Sequence, residues 1–155
     1  ANYHQESRCL TLGTPPQINK SLGDVIVLSG GTSDLYVAAE AQLALRFHGV
    51  NTDLLLDVGV AGLHRLLNNL ERIKKARVLI ACAGMEGSLP TILAGLTPQP
   101  VIGVPVSVGY GVSAGGKAAL DGMLASCSPG LLVMNIDNGY GAAMAALRIL
   151  NSFKQ

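Results

Sequence analysis

The sequence predicts a three-layer α/β sandwich built on a five-stranded parallel sheet, and three observations predict it. Five continuous apolar runs read as strands buried on both faces. Stretches with helical periodicity separate them. Each run ends in a glycine-bearing loop, the pattern of a sheet that alternates with helices and binds ligands at its carboxyl edge.

The elements follow in order. Residues 1–20 are polar, broken by Pro15-Pro16, and read as an arm or linker end, with one domain over residues 21–155. The first strand is Asp24 to Leu28, and Leu35 to His48 is an Ala-rich helix closed by Gly49. The second strand is Asp53 to Val58. Leu63, Leu66, Leu67, Leu70 and Ile73 then recur at helical spacing, with Glu71, Arg72, Lys74 and Lys75 opposite. Val78 to Ala83 is the third strand, followed by a helix over Glu86 to Leu96. Val101 to Val106 is the fourth, followed by a helix over Gly116 to Ser126. Leu131 to Ile136 is the fifth, followed by a helix over Gly139 to Ser152. Right-handed crossovers favour the flavodoxin-like strand order 2-1-3-4-5.

Composition bounds the function. The chain has 155 residues, 49% hydrophobic and 14% charged, where about 25% charged is usual. So few charges favour burial of surface in a homo-oligomer. A net charge of +1 and 4% aromatics leave neither a basic stripe nor a stacking platform, so no nucleic-acid partner is expected. No apolar run spans a membrane, and Ala1 to Lys20 lacks the apolar core of a signal peptide. Cys9, Cys82 and Cys127 are odd in number and dispersed, which points to a reducing cytoplasm. The chain has no initiating Met and is read as trimmed or as a piece of a longer protein.

The chemistry belongs at the carboxyl ends of the strands. The loops there are Ser29-Gly30-Gly31-Thr32-Ser33-Asp34, Gly59-Val60-Ala61-Gly62-Leu63-His64-Arg65, Ala83-Gly84-Met85-Glu86-Gly87, Ser107-Val108-Gly109-Tyr110-Gly111 and Asp137-Asn138-Gly139-Tyr140-Gly141. Glycines let backbone amides approach a ligand, and helix N-termini favour anions, so these loops predict an anionic small-molecule site. The plainer reading is that such turns are glycine-rich anyway. In the first loop, the amides of Gly30 to Ser33 are candidates to hold a phosphate and Asp34 to accept a ribose hydroxyl. Ser33 or Asp34 can equally cap the next helix. The loop is neither GxGxxG nor a Walker motif. Candidate binding residues are Ser29, Gly30, Gly31, Thr32, Ser33, Asp34, Gly59, Ala61, His64, Arg65, Gly84, Met85, Ser107, Gly109, Tyr110 and Asn138. Glu86, read as opening a helix, is either a first-turn acid that suits the helix dipole or a general base. Cys127 follows a helix within Ser126-Cys127-Ser128-Pro129-Gly130, where the helix C-terminus disfavours a thiolate. Cys82 reads as a core thiol. The dispersed histidines His4, His48 and His64 predict no metal cluster.

Taken together, these loops resemble the LarB family, which makes the nickel-pincer nucleotide cofactor. Asp57-Val58-Gly59-Val60-Ala61-Gly62-Leu63-His64-Arg65, Gly84-Met85-Glu86-Gly87, Pro105 to Gly111 and Asn135 to Gly141 carry the resemblance over about residues 24–150. The family's catalytic domain is similar to PurE, the aminoimidazole ribonucleotide carboxylase or mutase of purine synthesis. The cyanobacterial circadian phase modifier proteins are also members. Family members carry an N-terminal region ahead of this domain, which is expected to be missing here. The PurE likeness rests on Ser29 to Asp34, Leu89-Pro90, Leu96-Thr97-Pro98 and Val101 to Val106. PurE enzymes carry a compact Ser-Ala-His-Arg after the second strand, and here the segment is longer with His64 displaced.

The resemblance implies a PurE-like fold and a carboxylase and hydrolase. Its substrate would be nicotinic acid adenine dinucleotide. Carbon dioxide is added to the pyridinium ring and the phosphoanhydride is cleaved, giving pyridinium-3,5-biscarboxylic acid mononucleotide and AMP. Cys127 matches the family's nucleophile and Glu86 its acid, here the base. No tightly bound cofactor is implied, and Mg2+ is left open as an aid to cleavage. PurE-like proteins are octamers, so a site shared between subunits is expected, Cys127 standing at the edge opposite its own strand-top loops. Two alternatives stand beside this reading: a regulatory nucleotide-binding module without turnover, and a PurE-like enzyme acting on aminoimidazole ribonucleotide.

Overall fold

The computed structural model describes residues 1–153. A two-stranded antiparallel hairpin, β1 (Asn2–His4) and β2 (Cys9–Thr11), precedes the sheet. The domain then runs β3 (Asp24–Ser29), α1 (Leu35–Phe47), β4 (Asn51–Leu55), α2 (Leu63–Asn68), α3 (Leu70–Ile73), β5 (Val78–Ala83), α4 (Ser88–Leu96), β6 (Val101–Pro105), α5 (Lys117–Leu124), β7 (Leu132–Val133) and α6 (Gly139–Ser152). The five strands β3 to β7 pair in the order β4-β3-β5-β6-β7, all parallel, which is the expected 2-1-3-4-5 topology.

Strand alternation divides the core in two. Val25, Val27, Ile80, Cys82, Ile102 and Val104 face α1 and α6, whose small residues Ala38, Ala41, Ala142, Ala143 and Ala146 let the helices approach closely. Ile26, Leu28, Leu79 and Ala81 face the other way, against Leu66, Ile73, Leu89, Leu93 and Met123. Each fully buried Leu or Ile contributes about 1.5–3 kcal/mol, so the doubly covered strands β3 and β5 anchor the molecule.

Several boundaries differ from the sequence reading. Residues 1–20, read as an arm or linker end, carry the hairpin, and the Arg8 guanidinium lies 4.6 Å from the centre of the Tyr36 ring. A polar three-residue strand has no buried face, so apolar patterning does not reveal it. The second strand ends at Leu55 rather than Val58, because the chain turns at Asp57, where φ is +56°. The second helix is broken at Asn69, and Leu63 and Leu67 of its stripe are exposed while Leu66 and Ile73 are buried. The fifth strand is only Leu132–Val133, as befits a short edge strand. No helix among the described residues is long and apolar enough to cross a membrane.

Candidate active site

The carboxyl edge of the sheet holds a cleft of about 560 Å³ between the first four strand-end loops. Gly30, Gly31, Ser33 and Asp34 line it from the first loop, and Asp57, Gly59, Val60, Ala61 and Arg65 from the second. Gly84, Met85, Glu86 and Ser88 come from the third, and Val108, Gly109 and Tyr110 from the fourth. Close packing explains some of the glycines. A Cβ on Gly59 would lie 2.4 Å from the Gly30 carbonyl oxygen, and one on Gly84 would lie 2.7 Å from that of Val108. These two glycines join neighbouring loops, a structural task beside any contact with ligand.

The first loop is organised by Asp34. Its side chain does not cap α1; it turns back and accepts the Gly31 amide at 2.8 Å. The Gly30 amide is already bonded to the Cys82 carbonyl at 2.9 Å. Of the four amides expected to hold a phosphate, those of Thr32 and Ser33 therefore remain, at the first turn of a helix where amides lack intrahelical acceptors. Asp34 is 4% exposed. Burial raises its pKa, and the amides of Gly31, Gly84 and Gly30 act in the opposite sense.

Backbone strain gathers at this edge. Asp57, Met85 and Asp137 each follow a strand and take φ of +56°, +53° and +60°. Non-glycine residues held there cost roughly 1–3 kcal/mol each and cluster at functional sites. Asp57 uses the turn to meet Arg65, whose Nη1 lies 2.7 Å from its Oδ2. The Arg65 Nε is buried without a partner. Met85 and Gly87 flank Glu86 with left-handed backbone, so Glu86 stands in a tight turn before α4 and not in its first helical turn as expected. Gly122 lets α5 press against this turn: a Cβ there would lie 2.5 Å from the Glu86 carbonyl oxygen. Glu86 is thus carried on a clamped backbone among the residues that line the cleft.

Other expected site residues stand elsewhere. His64 is exposed on α2 and does not line the cleft. Ser29 is buried behind it, its Oγ accepting the Asp57 amide at 3.3 Å. Thr32 is exposed at the rim. Ser107 is turned toward Asp137, and Asn138 caps α6 by accepting the Gly141 amide at 2.8 Å. Cys127 is exposed and outside the cleft. Its turn is pinned to the middle of α4: Thr91 Oγ1 donates to Ser126 Oγ, and Ser128 Oγ donates to the Thr91 carbonyl, both at 2.8 Å. Pro129 and Gly130 then continue to the lower edge, beside Thr97 and Pro98. Cys82 is fully buried and its thiol pKa is pushed up, which makes it inert. Sequence reasoning passed over Asp57 as a site residue; its pairing with Arg65 closes a loop that no spacing rule describes.

Among the described residues, Asp34, Asp57, Glu86 and Arg65 are the charged residues that line the cleft, and no histidine lines it.

Comparison with known proteins agrees with this architecture. The chain is 47% identical over 129 residues to an uncharacterised protein of Methanocaldococcus jannaschii, a match that covers 82% of this chain and 49% of that protein. The chain thus spans about half the length of that relative. It is 38% identical over 136 residues to the N5-carboxyaminoimidazole ribonucleotide mutase of the same organism, covering 81% of this chain and 78% of the mutase. Among solved structures, PurE of Treponema denticola superposes with a TM-score of 0.71 at 20% identity, over 84% of this chain and 82% of that one. That likeness shows the fold. Residues 24–155 match the AIR carboxylase family, and the chain belongs to it.

Proposed function

We propose that this domain makes or breaks a carbon–carboxyl bond on the ring of a nucleotide bound in the strand-top cleft. Membership of the AIR carboxylase family supports this general reading. For the finer one we take the pyridinium ring of nicotinic acid adenine dinucleotide, as the resemblance to the LarB family implies. The observation that carries it is the lining of the cleft: no histidine, and carboxyls in excess of a single guanidinium already paired with Asp57. Such a cleft favours a cationic ring over a neutral one.

The chemistry follows from the ring. A pyridinium is electron-poor and does not attack carbon dioxide. Addition of the Cys127 thiolate to a ring carbon forms a C–S bond and leaves a neutral, enamine-like ring. That ring donates an electron pair to carbon dioxide and forms the new C–C bond. Glu86 takes the proton from the same ring carbon, the thiolate leaves with its electron pair, and aromaticity returns. Water then cleaves the phosphoanhydride to release AMP. Because Cys127 stands outside the cleft of its own chain, the thiol comes from a neighbouring copy, in an oligomer for which an octamer is the PurE-like expectation. Exposed Tyr110, Val112 and Leu124 are surface for such contacts. Three free thiols suit a reducing cytoplasm.

The test is incubation with nicotinic acid adenine dinucleotide and 13C-bicarbonate, with and without Mg2+, followed by mass measurement. The expected products are a mononucleotide heavier by the labelled carboxyl, and AMP. Cys127→Ala should lower turnover by ~10³-fold or more, as loss of a covalent nucleophile does. A parallel arm with aminoimidazole ribonucleotide tests the second reading, which the 38% identity to a mutase favours. Turnover there alone would replace the pyridinium reading. Tight binding of the dinucleotide without turnover would favour a regulatory module.

A further inference from the structure

Asp137 is the third strained residue of the upper edge, and the cleft chemistry does not use it. Its backbone sits at φ +60°. Both its carboxylate oxygens are committed to one residue: Oδ1 accepts the Ser107 amide at 2.8 Å and Oδ2 accepts the Ser107 hydroxyl at 2.5 Å. Its own amide donates to the Pro105 carbonyl at 2.8 Å. The Tyr36 hydroxyl meets the Ser107 hydroxyl at 3.3 Å.

Ser107 is the neck of a loop. Its carbonyl accepts the Gly115 amide at 3.1 Å, closing residues 108–114 into a loop. A Cβ on Gly116 would lie 3.1 Å from the Ser107 Cα, so the returning chain packs directly on the neck. Val108, Gly109 and Tyr110, the first residues beyond it, form the fourth wall of the cleft. Beyond the neck, the Val108 carbonyl packs against Gly84 and Ser113 is buried, while Val112 is 94% exposed and Tyr110 77%. The charged hydrogen bonds that fix its neck to the sheet edge are the two-oxygen grip of the Asp137 carboxylate.

We propose that Asp137 is a positioning residue, which sets the place of the Val108–Tyr110 wall through Ser107. Backbone strain at Asp137 is maintained because the grip needs a carboxylate aimed back across β6, and charge-assisted bonds of this kind are about twice as strong as neutral ones.

Asp137→Asn is the direct test, since asparagine tolerates left-handed backbone and keeps one acceptor oxygen. Amide exchange in the ligand-free protein should quicken ~10-fold or more over residues 108–115, the scale of one lost charged bond, while β3 and β5 stay protected. This arm does not depend on the substrate. The second arm rests on the proposed function: the KM for nicotinic acid adenine dinucleotide should rise ~10-fold with kcat within about twofold, the signature of lost binding contacts. Ser107→Ala should give a similar rise, and the double variant little more, because both act through one grip. Unchanged exchange in the loop, or loosening of the whole sheet with it, would overturn the proposal. So would effects of the two substitutions that multiply. If the parent protein ignores the dinucleotide, the pyridinium reading fails, and the exchange arm still decides this one.

Discussion

The two edges of the sheet are built on opposite terms. At the upper edge, Asp57, Met85 and Asp137 hold left-handed backbone, the Asp34 side chain is buried, and the Arg65 Nε lacks a partner. At the lower edge side chains cover backbone carbonyls, although the Gln99 Oε1 is itself buried without a partner. The Gln99 side-chain amide donates to the carbonyls of Ile73, Lys74 and Ala76 at 3.3, 2.8 and 3.0 Å, and Arg77 donates to that of Leu22 at 3.1 Å. No non-glycine residue from Arg77 to Ala83 or from Leu93 to Val101 takes a positive φ. The lower edge closes the ends of helices and strands on unstrained backbone, and the upper one holds strained backbone around a cleft. The contrast predicts that substitutions at the top change rate and those at the bottom change stability.

The sharpest way to break that division is a crossed pair. Glu86→Gln keeps size and exposure, so its melting temperature should stay within about 1 °C, while carboxylation falls ~10²–10⁴-fold for loss of a general base. Gln99→Ala strips three carbonyls of a donor and should cost about 1–2 kcal/mol, a fall of roughly 2–8 °C in a chain of this size, with kcat/KM unchanged. Calorimetry and steady-state rates on both variants suffice. A stable, fully active Glu86→Gln enzyme would remove the upper edge's claim to chemistry.

Met85 offers a smaller and subtler contrast. It is half-buried, as is Met144 on α6. Met144→Gly deletes packing and puts glycine inside a helix, so it should cost about 2 kcal/mol or more. Met85→Gly deletes similar packing but releases a left-handed backbone worth roughly 1 kcal/mol or more. Its melting temperature should therefore fall less than half as far. Equal losses would mean that the turn before α4 carries no strain.

Strand runs such as Val78–Ala83 were legible because both faces are buried, and a short, unbroken apolar run between turn residues fits a central strand better than a half-solvated element. The helix end at Gly49 was legible for a similar reason: local chemistry decides it. What was not legible is non-local. The end of β4 depends on the left-handed turn at Asp57, and that turn is stabilised by Arg65 eight residues on. Asp34 looked like a cap because caps are read from spacing, whereas its burial depends on loops brought from β5. Ser107 and Asn138 were assigned to ligand by their place in glycine-rich loops, yet they bond to Asp137 and to the first turn of α6. Glycine-rich sequence located the edge, and it did not separate residues that face the cleft from those that hold its walls.

Asp34 gives the smallest effect and the finest cut between strain and anchorage. Two forces oppose each other there: burial disfavours the carboxylate, and the amides of Gly31, Gly84 and Gly30 favour it. Burial is the larger, so the folded pKa lies above the unfolded value of 3.8. The folded protein then binds the Asp34 proton more tightly than the unfolded chain, and its contribution to stability is fully present below pH 3.8 and is lost as pH rises through the folded pKa. Asp34→Asn keeps an oxygen for the Gly31 amide and cannot ionise. The difference in urea midpoint, parent minus variant, should therefore fall as pH is raised from about 3.5 toward 7, in the window just above 3.8. A difference that rises instead would mean that the glycine amides dominate. Asp34 would then be a well-held anion that stabilises the first loop, and one of the upper edge's burdens would have to be counted among its supports.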